Sequence, residues 1–159
     1  MTCPRSRTPL VSCASCAPGT GSPTTEWGLI LDGWSRAGEP GIGLAQQGIG
    51  NLQAEGSYAR MPYWLSLLAD LLAGNDRLDA AREALDSALA AAKENDDLWW
   101  LPEVMRMRAA YDDEGASVAR LRSAAEFASA HGSLALLRRC EHDLAGRGLH
   151  PPAPHVPPA

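Results

Sequence analysis

The side chains of this sequence best suited to catalysis or metal binding belong to its four cysteines and four histidines. Cys13 and Cys16 form a C-x-x-C motif, but it has neither the second cysteine pair of a structural zinc site nor the βαβ context of a thioredoxin-like protein. His150 and His155 lie in a proline-rich tail, where no ordered catalytic geometry is expected. His131 falls at the end of a predicted helix, where a cation suits the helix dipole. We therefore predict no catalytic residue and no metal site among them.

A thiol and an imidazole lie two positions apart, at Cys140 and His142. Residues at this spacing point to different sides of a helix, so the pair is not arranged for nucleophilic catalysis. Cys140 instead shares a helix face with three leucines, at positions 136, 137 and 144. We predict a buried free thiol there, because a free cysteine behaves as a small apolar residue.

A glycine pattern, Gly41-x-Gly43-x-x-x-x-Gly48, is the nearest approach to a nucleotide-binding motif. It lacks the lysine of a phosphate-binding loop and falls on a predicted helix that follows another helix instead of a strand. We expect these glycines to serve helix packing. The sequence also contains no G-x-S-x-G or H-E-x-x-H motif. We predict that the chain is not an enzyme and binds no cofactor, with a small all-α enzyme as the last of the alternatives.

Large aromatic residues and arginines dominate the energetics of protein interfaces, and they supply the predicted partner-binding residues. These residues are Trp99, Arg106, Arg108, Tyr63 and Trp64. In a stack of helix pairs, the first helix of each pair lines the surface that binds peptides. Core packing is the alternative for Trp64 and Trp100, and we favour it for both. On a helix Trp99 points about 100° away from Trp100, so Trp99 is the better candidate for the groove.

The arginines of the C-terminal half have an alternative interpretation as solvated helix faces, because acidic residues balance them in the same region. A few arginines that line a groove would suit an acidic peptide.

Composition predicts that helices position these residues. Alanine and leucine supply 27 and 21 of the 159 residues, whereas valine and isoleucine together supply 7, and β-sheets favour β-branched residues. The formal charge of −5 argues against a general electrostatic attraction to nucleic acid or an anionic membrane. No run approaches the roughly 20 apolar residues of a membrane-spanning helix. We predict an all-α domain without nucleic-acid or membrane partners.

Proline separates an ordered middle from two ends. Nine of the twelve prolines fall in the first 23 or the last nine residues, and both ends lack the apolar periodicity that a packed core requires. We predict a disordered N-terminal segment at 1–25, a helical domain at 26–146 and a disordered proline-rich tail at 147–159. The abrupt change of composition leaves open whether residues 1–25 are native coding sequence.

The middle of the chain predicts seven helices, because Pro40, Pro62 and Pro102 suit helix starts and several glycines suit helix ends. The predicted segments are 26–37, 41–55, 60–73, 77–94, 99–112, 116–131 and 134–145.

A weak internal repeat runs through these helices. Small residues recur at Gly41, Ala81 and Ser117, with spacings of 40 and 36 residues, close to the period of about 34 of a tetratricopeptide repeat (TPR). Trp64 and Leu67 match the opening of that motif in the middle repeat. We predict a TPR-like antiparallel helix-pair solenoid of three pairs and a closing helix, with a closed helical bundle as the alternative.

Four stretches together resemble the C-terminal TPR-like region of large actinobacterial regulatory ATPases. The stretches are Gly33-Trp34, Tyr63–Ala69 (YWLSLLA), Asp79–Leu85 (DAAREAL) and Leu98–Arg108 (LWWLPEVMRMR). Members of that group join a P-loop signalling ATPase of the STAND type to an adenylyl/guanylyl cyclase domain or a LuxR-type DNA-binding domain. The resemblance covers about residues 27–146, and it implies a helical sensor or scaffold region.

The ATPase chemistry of that group does not transfer to this chain, because the sequence contains no G-x-x-x-x-G-K-[ST] loop. We predict a non-catalytic, cytoplasmic protein-interaction module, which is a truncated or separately encoded piece of a regulator and binds a protein or peptide. The alternative is a scaffold fragment that only packs against the ATPase part of a parent protein.

Overall fold

The computed structural model describes residues 23–148, and within that range the chain forms seven α-helices, one 3-10 turn and no β-strand. The helices are α1 (Pro23–Arg36), α2 (Gly38–Ala54), α3 (Met61–Ala73), α4 (Leu78–Glu94), α5 (Leu101–Arg108), α6 (Glu114–Ala130) and α7 (Leu134–Gly146). The 3-10 turn, Ala109–Tyr111, follows α5 directly. The predicted all-α class is confirmed.

The helices pack as successive pairs along the chain. α1 packs mainly on α2 and α3 mainly on α4, while α5 and α6 form the third pair and α7 closes the stack against both of them. The first helices of successive pairs also contact each other: α1 contacts α3, α3 contacts α5, and α5 contacts α7. The predicted helix-pair stack is therefore the observed architecture.

Most hydrogen bonds between side chains of neighbouring pairs join residues 34 to 38 positions apart. Trp34 Nε1 donates a hydrogen bond to Asp70 at 3.0 Å, and Arg139 Nη1 donates one to Glu103 at 2.8 Å; each bond joins residues 36 positions apart. Because equivalent residues of adjacent repeats lie side by side in a solenoid, this separation is the structural period of the stack.

Small residues let the paired helices approach closely, as the glycine pattern predicted. A Cβ atom added at Gly48 would lie 2.7 Å from Ile30 Cγ1 and 2.8 Å from the carbonyl oxygen of Glu26. At Gly41 an added Cβ would clash with the backbone of Gly33. The corresponding small residues of the later repeats are buried: Ala81, Ser117, Ala88 and Ala124. Helix packing thus explains these positions without any nucleotide.

Six of the seven helix starts differ from the predicted ones by one to three residues, with α1 and α2 beginning three residues early, α6 two residues early and α5 two residues late. α1 begins at Pro23, three residues before the predicted start, and Pro23 is also the first residue that the structure describes. α5 begins at Leu101 and not at residue 99. A helix from 99 would place Pro102 in its fourth position, where the missing N–H would remove an intrahelical bond. The predicted disordered ends lie outside the described residues, apart from 23–25 and 147–148.

Candidate functional site

Five aromatic rings form a continuous row across the repeats. Trp27, Trp64 and Trp100 are separated by 37 and 36 residues. The rings of Trp27 and Trp64 lie 5.8 Å apart, and the ring of Tyr63 lies 5.2 Å from that of Trp100 and 5.8 Å from that of Trp99. The spacing of these tryptophans matches the structural period more closely than the spacing of the small residues, which is 40 and 36. The repeat predicted from the sequence rests on the small residues and does not use these tryptophans.

Trp64 is a core residue. It is 4% exposed, and its ring packs at 4.9 Å from that of Tyr63. A partner cannot reach a ring buried to this extent, so its predicted partner role is replaced by the alternative, core packing. Trp100 is half-buried and donates a hydrogen bond from Nε1 to Ser66 Oγ at 3.1 Å, which holds it between α3 and α5.

Trp99 and Trp100 precede α5 instead of lying on it. The predicted angle of about 100° between them on a helix therefore does not apply, and their rings contact each other at 4.9 Å. Their exposures still differ, since Trp99 is 46% exposed whereas Trp100 is half-buried. Trp99 is thus the member of the pair that a partner can reach.

Trp99 lies at the edge of the stack where loops between helix pairs meet. With Tyr58 and Arg60 of the α2–α3 loop it lines a cavity of about 700 Å³. The guanidinium carbon of Arg60 lies 5.7 Å from the centroid of the Trp99 ring, within cation–π range. Tyr63 contacts the same ring from α3. We call Tyr58, Arg60, Tyr63 and Trp99 the aromatic edge.

A second cavity, of about 380 Å³, also contacts Trp99 and is lined by Phe127, His131 and Ser133. The rings of Phe127 and His131 stack 4.0 Å apart, and His131 Nδ1 lies 2.9 Å from the carbonyl oxygen of Phe127. His131 is the C-terminal cap of α6, which confirms its predicted place at a helix end. The exposed indole of Trp99 is therefore flanked by two concave surfaces.

Arg108 is not free to bind a partner, which corrects its predicted role. Its side chain is 13% exposed and forms ion pairs with Asp86 and Asp112, both at 2.6 Å. Arg120 also donates a hydrogen bond to Asp112 at 2.6 Å, and this bond holds the pKa of the Asp112 carboxyl below its usual value. Arg108 therefore fastens α5 to α4 and to the loop before α6.

Arg106, another predicted partner residue, uses all three of its nitrogens within the chain. Nε and Nη2 donate to Glu103 at 3.0 and 2.9 Å, and Nη1 donates to Asp143 at 2.7 Å. The hydrogen bond with Glu103 is the main cause that raises the pKa of Arg106. Glu103 is 4% exposed and also accepts the bond from Arg139. Arg106 is thus a positioning residue between α5 and α7.

A cavity of about 370 Å³ lies beside this network, and we call it the arginine cavity. Its lining residues are Arg106, Arg138, Arg139, His142 and Asp143. Arg138 and His142 make no hydrogen bond or ion pair with any residue between 23 and 148. The cavity is a locally positive surface on a chain whose formal charge is −5.

Cys140 is a buried free cysteine, as predicted. It is fully buried, and this burial raises the pKa of its thiol to about 11.

Between residues 23 and 148, no group of three or more His, Cys, Asp or Glu side chains is arranged to hold a metal ion. Over the same range, every helix is too short or too polar to cross a membrane. The predicted C-x-x-C motif and the histidines at 150 and 155 lie outside the described residues.

Comparison with known proteins finds similarity to part of a much longer protein. No protein-family model matches the sequence, and no solved structure gives a significant match. An uncharacterized protein of Rhizobium meliloti (strain 1021) is 31% identical over 130 residues, which is 76% of this chain and 13% of the relative. The chain therefore spans 13% of the length of a protein of roughly 1000 residues.

Proposed function

We propose that this chain is a non-catalytic protein-interaction module of a regulatory protein, and that it binds a peptide segment of its partner at the aromatic edge. The exposed ring of Trp99 carries this proposal. Tryptophan is enriched among the residues that dominate binding energy, and Trp99 is 46% exposed between two cavities.

The neighbours of Trp99 support the proposal because they fix the ring before any partner arrives. Tyr63, Trp100 and Arg60 contact it from three elements. A side chain that is already ordered loses little conformational entropy on binding, so more of the contact energy appears as affinity.

The regulatory role and the cytoplasmic location rest on the resemblance to the helical region of STAND-type ATPases. The rhizobial relative is consistent with a module of a larger protein, since this chain spans 13% of its length. The partner is accordingly another protein or the ATPase part of a parent regulator.

Selection of peptides on the whole chain tests the proposal. A phage library of random 12-residue peptides is selected on the chain, and the affinities of the selected peptides are then measured for Trp99→Ala and Tyr58→Ala. We expect each variant to bind at least about tenfold more weakly, in keeping with a loss of about 2 kcal/mol at an interface tryptophan. Leu78→Ala is the matched control, because Leu78 is 55% exposed on α4, away from the aromatic edge.

Thermal melts of all variants separate lost binding from lost folding. Failure to select any peptide, or equal affinity for Trp99→Ala and Leu78→Ala at equal stability, contradicts the proposal.

A second function, an intramolecular scaffold, is favoured by one observation. Leu31 and Trp34 on α1 are 45% and 46% exposed, a surface that a further part of a parent protein would cover. A far-UV circular dichroism melt of the whole chain distinguishes the two. A sharp, reversible transition favours the self-sufficient module, and a broad, shallow decay favours the scaffold piece.

A further inference from the structure

We infer that the arginine cavity binds a carboxylate of the segment that docks on the aromatic edge, where Asp96 and Asp97 line both cavities and disfavour further acidic residues. This inference rests on the proposed function and names the chemistry of the peptide.

The charges around the arginine cavity leave it one positive charge in excess. Arg106, Arg138 and Arg139 are opposed by the carboxylates of Glu103 and Asp143. The oxygens of Glu103 are already engaged by Arg106 and Arg139, and each nitrogen of Arg106 already donates one hydrogen bond. The guanidinium nitrogens that have no partner are therefore on α7.

Two guanidinium groups on α7 are free to bind an anion. Arg138 has no partner between residues 23 and 148, and Arg139 uses only Nη1, with a side chain that is 55% exposed. Glu103 holds Arg139 at the rim of the cavity through a bond of 2.8 Å. Since the guanidinium group is a planar fork that matches two oxygens, an oxyanion fits this arrangement.

The size of the excess charge favours a carboxylate over a phosphate. One carboxylate neutralises one positive charge, whereas a phosphate monoester carries about −1.5 to −2 at pH 7. Asp143 lines the same cavity and would repel the surplus negative charge. An aspartate or glutamate side chain of a peptide is therefore the occupant that the electrostatics favour.

The distance to the aromatic edge sets the spacing within the peptide. Trp99 lies two residues before α5 begins at Leu101, and from Leu101 to Arg106 the helix rises about 7.5 Å along its axis. The two residues before the helix add at most about 7 Å, and an extended peptide covers the total in about four residues. We expect the segment to carry an Asp or Glu three to four residues from a large apolar side chain.

The composition of the selected peptides is the first test, and two arginine variants are the second. We expect an Asp or Glu at that spacing, and a loss of affinity of about tenfold for Arg138→Ala. Arg122→Ala is the matched control, because Arg122 is an exposed arginine on α6 without a partner among residues 23–148. Peptides with Asn or Gln in place of Asp or Glu should bind wild type and Arg138→Ala equally. Raising NaCl from 50 to 500 mM should weaken the acidic peptide more on wild type than on Arg138→Ala.

The outcomes distinguish this inference from the proposed function. If no peptide is selected, both fail. If the peptides depend on Trp99 but are not acidic, or bind Arg138→Ala and Arg122→Ala alike, only the carboxylate inference is overturned. Displacement of the peptide by 10 mM inorganic phosphate but not by 10 mM acetate would assign the arginine cavity to phosphate and overturn the carboxylate.

Discussion

Replacing Glu103 with glutamine tests the ion network that joins α5 to α7. The Glu103 side chain is 6% exposed and accepts two hydrogen bonds from Arg106 and one from Arg139. Glutamine keeps the shape and one acceptor oxygen but removes the charge. Its amide N–H₂ group then faces guanidinium donors, which leaves at least one hydrogen bond unmade.

The expected loss of stability lies below that of a fully buried pair. Removing one partner of such a pair costs about 3–5 kcal/mol. Here Arg106 keeps its bond to Asp143, and the Arg139 side chain is 55% exposed and can be solvated. We therefore expect Glu103→Gln to lower the free energy of unfolding by about 2 kcal/mol. With an unfolding entropy of about 2.1 cal/mol/K per residue over the 126 described residues, this corresponds to a Tm lower by about 8 °C.

Urea unfolding followed by circular dichroism at 222 nm, at pH 7 and 150 mM NaCl, measures this loss. Glu126→Gln is the matched control, because Glu126 is an exposed glutamate on α6 with no partner among residues 23–148. It should change stability by less than about 0.5 kcal/mol. A Glu103→Gln effect as small as that of Glu126→Gln would refute the conclusion that Glu103 joins the two helices.

Three further predictions concern packing, the thiol and acid stability. Gly48→Ala should destabilise the chain by about 1–3 kcal/mol in urea unfolding, because the added methyl group meets α1. Gly50→Ala is the control: an added Cβ there has nothing within 4 Å and should stabilise the chain by about 0.5–1 kcal/mol. Equal effects of the two substitutions would contradict the close approach of α1 and α2. In a variant with the other three cysteines replaced by serine, Cys140 should react with Ellman's reagent at pH 8 at least about 100-fold more slowly in the folded than in the unfolded chain. The reason is that burial raises the pKa of its thiol to about 11. Equal reaction rates would contradict the burial of Cys140. Because hydrogen bonding from Arg120 lowers the pKa of Asp112 in the folded state, its contribution to stability is present above the unfolded pKa near 3.9 and is lost as pH falls through the folded value. Asp112→Asn should therefore be destabilising at pH 7 and should approach the stability of wild type as the pH falls below about 3.9. A difference in urea unfolding that does not change with pH would contradict the ion pair.

The helices were predictable from the sequence because local signals mark them. Prolines suit only the first turn of a helix, and small residues are needed where two helices approach closely. These signals placed the seven segments within a few residues of the observed helices. The late start of α5 was also readable from Pro102, since a helix that begins at 99 places that proline too far from its first turn.

The surroundings of the arginines were not predictable, because their partners are distant in sequence. Arg106 meets Asp143 across 37 positions, and Arg108 meets Asp86 across 22. Local charge balance cannot tell such a bond from a solvated face, so only the packing of α5 against its neighbours decides it. The tryptophan period of 37 and 36 residues was present in the sequence and would have aligned the repeats correctly.

The exposure of Trp99 could be anticipated only in part. Sequence reasoning chose it over Trp100 from an assumed helix, whereas the structure exposes Trp99 because a loop precedes α5. The cavities beside it combine the α2–α3, α4–α5 and α6–α7 loops. No local pattern brings these three loops together, because their meeting depends on how the helix pairs stack.

Fluorine NMR of the whole chain labelled with 5-fluorotryptophan tests the proposed binding surface most directly. The five tryptophans give five signals, which single Trp→Phe variants assign. On addition of a selected peptide, the signal of exposed Trp99 should shift while that of buried Trp64 stays unchanged. An unchanged Trp99 signal at peptide saturation would contradict the assignment of the aromatic edge as the binding surface.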